Sequence, residues 1–137
     1  MMNIDQSIHT ILTREKVVAD LFYLKFLDRY PKVRPFFLNV DMRQQNVLLT
    51  MGLFIAQQYH RFQYPTMRQY LQLLGHRHHL RRIPADLYAD WRECLVATLR
   101  EFHGREWTTG LQGEWTAAID GAIEIMQQGY QDPLRFN

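Results

Sequence analysis

Three histidines, His76, His78 and His79, crowd into the stretch LLGHRHHLRRIP, residues 73–84, interleaved with Arg77, Arg81 and Arg82. Imidazole and guanidinium groups at this density suit three chemistries: a zinc site, the ligand of another metal, or a basic surface for nucleic acid. Helical geometry separates them. Side chains three and four apart share a helix face, so Leu71, Leu74 and His78 form one stripe, while His76 turns toward the side of Gln69 and Gln72 and His79 follows Arg68, Gln72 and Gly75. His78 is therefore the imidazole expected to point inward. Zinc is disfavoured, because the three rings diverge and no cysteine or carboxylate stands at a ligand spacing. The arginines belong to no recognisable nucleic-acid motif and the formal net charge is only +2, so a solvated face is the expectation, with no nucleic-acid partner. For His78 itself two readings stay open, a hydrogen-bonded core group or a metal ligand.

The elements that must position this ring are helices. Apolar residues recur at three and four along the chain and no strand-like alternation lasts more than a few residues. A helix is expected over about 13–30, its stripe built from Val17, Leu21 and Leu24 and broadened by Val18, Phe22 and Phe26. Pro31 and Pro35 end it in a short corner, PKVRPFFLN, whose two phenylalanines need cover. Asp41 reads as an N-cap, with Gln44 completing a capping box, for a helix running to about Tyr59. Further helices are expected over about 65–80 and 84–103, each opened by a proline, and a last one carries Trp115, Ala118, Ile119, Ala122 and Ile125 on one face. At 137 residues, 47% hydrophobic and 22% charged, the chain is the size and composition of one globular domain, 1–137, with 1–12 as an N-terminal extension and 131–137 as a frayed tail. The lone cysteine, Cys94, excludes an intrachain disulfide and reads as an inert, half-buried thiol. No apolar run approaches a membrane span and no signal pattern is visible, so a cytoplasmic protein without membrane partners is the expectation.

Aromatic residues make up 13% of the chain, and the helical faces look too bulky to be covered by one another alone. A large flat apolar ligand between helices would take up that excess, although aromatic stripes also serve as plain core.

Taken in order, FYLKFLDRYPKVRPFF, LLGHRHHLRRIPADLYADW and EWTAAIDGAIEIM resemble the globin family, in particular bacterial single-domain globins and the haem domain of flavohaemoglobins. The resemblance runs over about residues 13–130. It rests on Leu-Gly-x-Arg-His followed five residues on by Ile83 and ten on by Tyr88, on the Phe-Tyr pair ahead of the Tyr-Pro and Pro-Phe-Phe corner, and on the tryptophan that opens the last helix. It implies an all-α globin fold around a haem b. By the same resemblance His78 is the proximal ligand of the iron, Phe37 packs on the porphyrin with Phe36 beside it, and Leu74 and Ile83 line the pocket. Tyr23 is the distal tyrosine, and Tyr88 orients the proximal imidazole.

The distal polar residue depends on register. Gln44 with Leu48 and Arg43 with Val47 both fit, and Gln44 is preferred because it leads the stripe Leu48, Met51 and Ile55. A donor beside a polarised diatomic ligand adds about 1.5–3 kcal/mol, so a tyrosine and glutamine together imply tight, slowly released gas. The sequence departs from the pattern on its last helix, where the carboxylate that usually joins the proximal tyrosine is replaced by Tyr130. That weakens the expected push toward O–O cleavage.

The functions implied are reversible binding of O2, NO or CO for storage, delivery, sensing or NO detoxification. The enzymatic alternative is a nitric oxide dioxygenase or peroxidase-like activity fed by an external reductase. A haem-free helical interaction module is the remaining one.

Overall fold

Asn3 starts the first helix: its side chain accepts the Gln6 N–H while the Gln6 side chain accepts the Asn3 N–H, a reciprocal cap that satisfies two free donors. In this computed structural model, which describes residues 1–14 and 17–131, the order is α1 (Ile4–Thr13), α2 (Val17–Arg29), a 3-10 corner (Pro31–Phe37), α3 (Met42–Phe62), α4 (Pro65–Leu80) and α5 (Leu87–His103). A 3-10 turn (Gly104–Glu106) leads into α6 (Thr109–Gln128). The architecture is all-α. Helix α6 packs against α3 and α4, α2 against α5, and α1 against α3. The shared centre includes Phe22, Leu95, Leu99, Trp115 and Ile119, all fully buried.

Four expectations change. The N-terminal segment, for which no helix was expected, carries α1, and its Ile4, Ile8 and Ile11 recur at four and three and are buried on the body of the protein. Ser7, on the same face, accepts the Trp115 indole N–H at 2.9 Å and lies 2.6 Å from His103 Nε2, so the helix is tied to α5 and α6 by a buried polar knot. Pro84 does not open α5, which begins three residues later; Arg82 takes a left-handed backbone, φ 61°, and the chain needs 84–86 to turn before Leu87. Gln44 completes no capping box; Asp41 caps α3 alone by accepting the Arg43 N–H at 2.9 Å, and α3 continues to Phe62. The tail from residue 132 lies outside the described residues. Cys94 is fully buried rather than half-buried.

Candidate functional site

Helix α4 carries the histidines, and its position is set by glycines. A Cβ on Gly75 would collide with the backbone of Met126, and one on Gly129 with the backbone of Gln72 and His76, so α4 and α6 touch main chain to main chain. Arg68 and Gln72 both donate to Gln128 Oε1, at 3.1 and 3.2 Å, across the same seam. At its end α4 stops in a paired turn in which Arg82 N–H donates to His79 O at 2.9 Å and Ile83 N–H to His78 O at 3.0 Å. The main chain around His78 is thereby clamped from both directions.

Of the three histidines, His78 alone enters the interior with a partner. Its Nδ1 lies 2.8 Å from the Tyr88 hydroxyl, which α5 brings up from below. Burial, with Arg81 adding a like charge, lowers the imidazole from its ordinary 6.5 to about 4, so the ring is neutral at physiological pH. Among the described residues Nε2 has no hydrogen-bond partner. The Tyr88 hydroxyl is pushed up by burial and by its contact with Tyr130, whose oxygen is 3.4 Å away. Tyr130 in turn donates to the Ile83 carbonyl at 2.8 Å. His79 is exposed, with its ring packed beside Tyr130, and among the described residues the buried Nδ1 of His76 has no hydrogen-bond partner.

A second cluster forms where α2, the corner and α3 meet. Tyr23 is buried on α2, its ring edge-on to Phe37 of the corner at 5.5 Å between centroids. Its hydroxyl accepts a hydrogen bond from Gln45 Nε2 at 2.9 Å. Burial raises the phenol to about 12, against a smaller opposing effect of that bond, so it keeps its proton. With the oxygen accepting from Gln45, the hydroxyl hydrogen is left for another acceptor.

The glutamine at Tyr23 is Gln45, not Gln44 and not Arg43. Gln44 and Arg43 face solvent, as do Val47 and Leu48, which are 56% and 58% exposed. The reason lies in competing stripes. Leu48, Met51 and Ile55 have helical spacing, but so do Leu49, Leu53 and Ala56, and it is the second set that is buried. Gln45 leads that set, and beside it the buried Asn46 donates to Asp20 Oδ1 at 2.5 Å, pinning the register of α3 against α2. A polar pair one turn ahead of the buried stripe was the available signal.

Phe37, Leu74 and Ile83 are half-buried against the core. Phe36 and Arg81 meet at a cavity of about 240 Å³ completed by Pro35, Asn39 and Val40, which places the corner opposite the end of α4. Among the described residues no group of three histidine, cysteine or carboxylate side chains is arranged to hold a metal ion. No helix there is long and apolar enough to cross a membrane.

No curated protein matches this sequence. The family model described as Globin matches residues 20–126, from the start of the α2 face that carries Tyr23 to the α6 turn that meets Gly75. That match takes in Tyr23, Phe37, Gln45, His78 and Tyr88 and spans most of the sequence, and the chain belongs to the globin family.

Proposed function

We propose that this globin holds a haem b through His78 and uses it to bind a diatomic gas, O2, NO or CO, reversibly. The observation that carries the reading is the His78 imidazole, engaged at Nδ1 by Tyr88, with Nε2 unpartnered among the described residues; burial, which lowers its pKa, favours the neutral ring. A haem ligand must present a neutral ring nitrogen with a lone pair, and a hydrogen bond on the other nitrogen is what orients it. The donor set therefore fits. Phe37, Leu74 and Ile83 would supply apolar cover, and Arg81, at the cavity between corner and α4, would meet the carboxylate edge of the porphyrin.

When bound, the haem iron supplies the centre at which a gas can bind and leave. What the chain adds is polarity in one place. The Tyr23 hydroxyl, held by Gln45 so that its hydrogen remains available, donates to a polarised ligand and stabilises the bound state over the free one. Phe22 and Phe37 pack edge-on to its ring, with Phe26 stacked behind Phe22, and keep water from it. Storage, delivery, sensing and NO removal all draw on that same step, and a separate reductase would restore the ferrous state.

The test is the absorption spectrum of the ferric, ferrous and carbonyl forms of the protein and of His78→Ala, each supplemented with haem. The expected result is a Soret band in the parent protein that shifts with carbon monoxide, and its loss or conversion to a free-haem spectrum in His78→Ala. A parent protein without a Soret band, or a variant indistinguishable from it, overturns the reading.

A further inference from the structure

Resting on the haem reading, we propose that Tyr130 is a positioning residue: by committing its own proton to the Ile83 carbonyl, it turns the Tyr88 proton away from His78 and so keeps the imidazole proton on Nδ1.

The argument is one of proton counting. A carbonyl oxygen only accepts, so the 2.8 Å bond from Tyr130 to Ile83 fixes where the Tyr130 hydrogen goes. The Tyr130 oxygen then faces Tyr88, 3.4 Å away, with lone pairs alone. Tyr88 has a single hydrogen and two neighbours that can take it, Tyr130 and His78 Nδ1. If it goes to Tyr130, the Tyr88 oxygen accepts from Nδ1–H and the lone pair is left on Nε2. If it goes to Nδ1, the imidazole proton moves to Nε2 and blocks the nitrogen needed for a metal.

Tyr130 makes the first arrangement available. A neutral phenol in this place orients the ring without drawing its proton off, as a carboxylate would, so the imidazole stays a moderate donor suited to reversible binding. The acceptor is also informative: Ile83 lies in the turn that ends α4, and its N–H already holds the His78 carbonyl. One turn therefore secures the main chain of His78 and, through two phenols, its tautomer.

The experiment is nitrogen-15 NMR of the His78 ring in the haem-free protein at neutral pH, in the parent, Tyr130→Phe and Tyr88→Phe, with near-ultraviolet circular dichroism to confirm native packing. The expected result is a proton mostly on Nδ1 in the parent and mostly on Nε2 in both variants. In the haem-loaded proteins the iron–histidine stretching band, read by resonance Raman, moves to lower frequency in Tyr130→Phe. A parent ring protonated on Nε2, or a natively packed Tyr130→Phe with the parent's tautomer, overturns the proposal. Failure to load haem overturns the gas-binding reading instead and leaves the NMR result to stand alone.

Discussion

Gln44, which faces solvent, and Gln45, which holds the Tyr23 oxygen, are adjacent, separated by a single step and about 100° of helix rotation. Such a step decides which glutamine can act on a ligand. Replacing Tyr23 with Phe removes a donor to a polarised acceptor, about 1.5–3 kcal/mol, and should speed gas dissociation about ten- to a hundredfold in flash photolysis. Gln45→Ala, which frees Tyr23 without removing its hydroxyl, should have a smaller effect, about 0.5–1.5 kcal/mol. Gln44→Ala should leave the rate unchanged. A larger effect from Gln44 than from Gln45 would return the distal role to the exposed residue. The inward turn of His78 was legible in the sequence because it shares a stripe with Leu71 and Leu74, whereas the neighbouring face carries Arg68, Gln72 and His76 rather than a second apolar stripe. Gln45 was not, because two apolar stripes on α3 compete and only packing against α2 and α6 chooses between them.

At the scale of the element, α4 is held by what it lacks. Gly75 meets Met126 where any side chain would overlap backbone, and backbone cannot step aside as a flexible side chain can. Gly75→Ala should therefore cost about 3 kcal/mol, the upper end for overpacking, measured by urea unfolding. If His78 holds haem as proposed, it should also loosen haem retention, because His78 rides on the same helix. The end of α4 predicts the opposite sign. Arg82 is left-handed at φ 61°, a conformation that costs an ordinary residue about 1–2 kcal/mol and glycine almost nothing. Arg82→Gly should raise stability by about 1 kcal/mol once glycine's greater unfolded freedom is subtracted, visible as a melting temperature about 4 °C higher. The helix over 65–80 was legible to the residue, since Pro65 suits its first turn. The start of α5 was not, because Pro84 is equally at home in the turn that Arg82 makes necessary.

For the whole molecule the buried imidazoles set a pH limit. His78 falls from 6.5 to about 4, and His103, beside Ser7 at the foot of α1, is lowered by burial against a partial opposing pull from Glu106. Below 6.5 the unfolded chain takes up protons that these rings refuse while folded. Stability is thus complete above that pH and declines as pH falls toward 4. The His78 share is about 3 kcal/mol. Urea titrations of the haem-free chain between neutral pH and pH 4 should show this decline, and His78→Gln should remove its share; an equal slope in the variant would count against a buried neutral ring. His103 also shows why α1 belongs to the body of the protein: its Ser7 partner and the Trp115 indole are satisfied only when α1 is docked.

The order of residues determined by itself what local chemistry can dictate: helices from period, the corner from its two prolines, the inward turn of His78 from a single stripe. Tertiary structure decided whatever depended on a neighbour far along the chain. It chose the buried face of α3, drew α1 into the core through Ser7, and led Tyr130 past Tyr88 to the Ile83 carbonyl. The physical reason is that periodicity records which residues share a face, whereas the partner of that face is fixed by close approach and hydrogen bonding between segments that no local window contains.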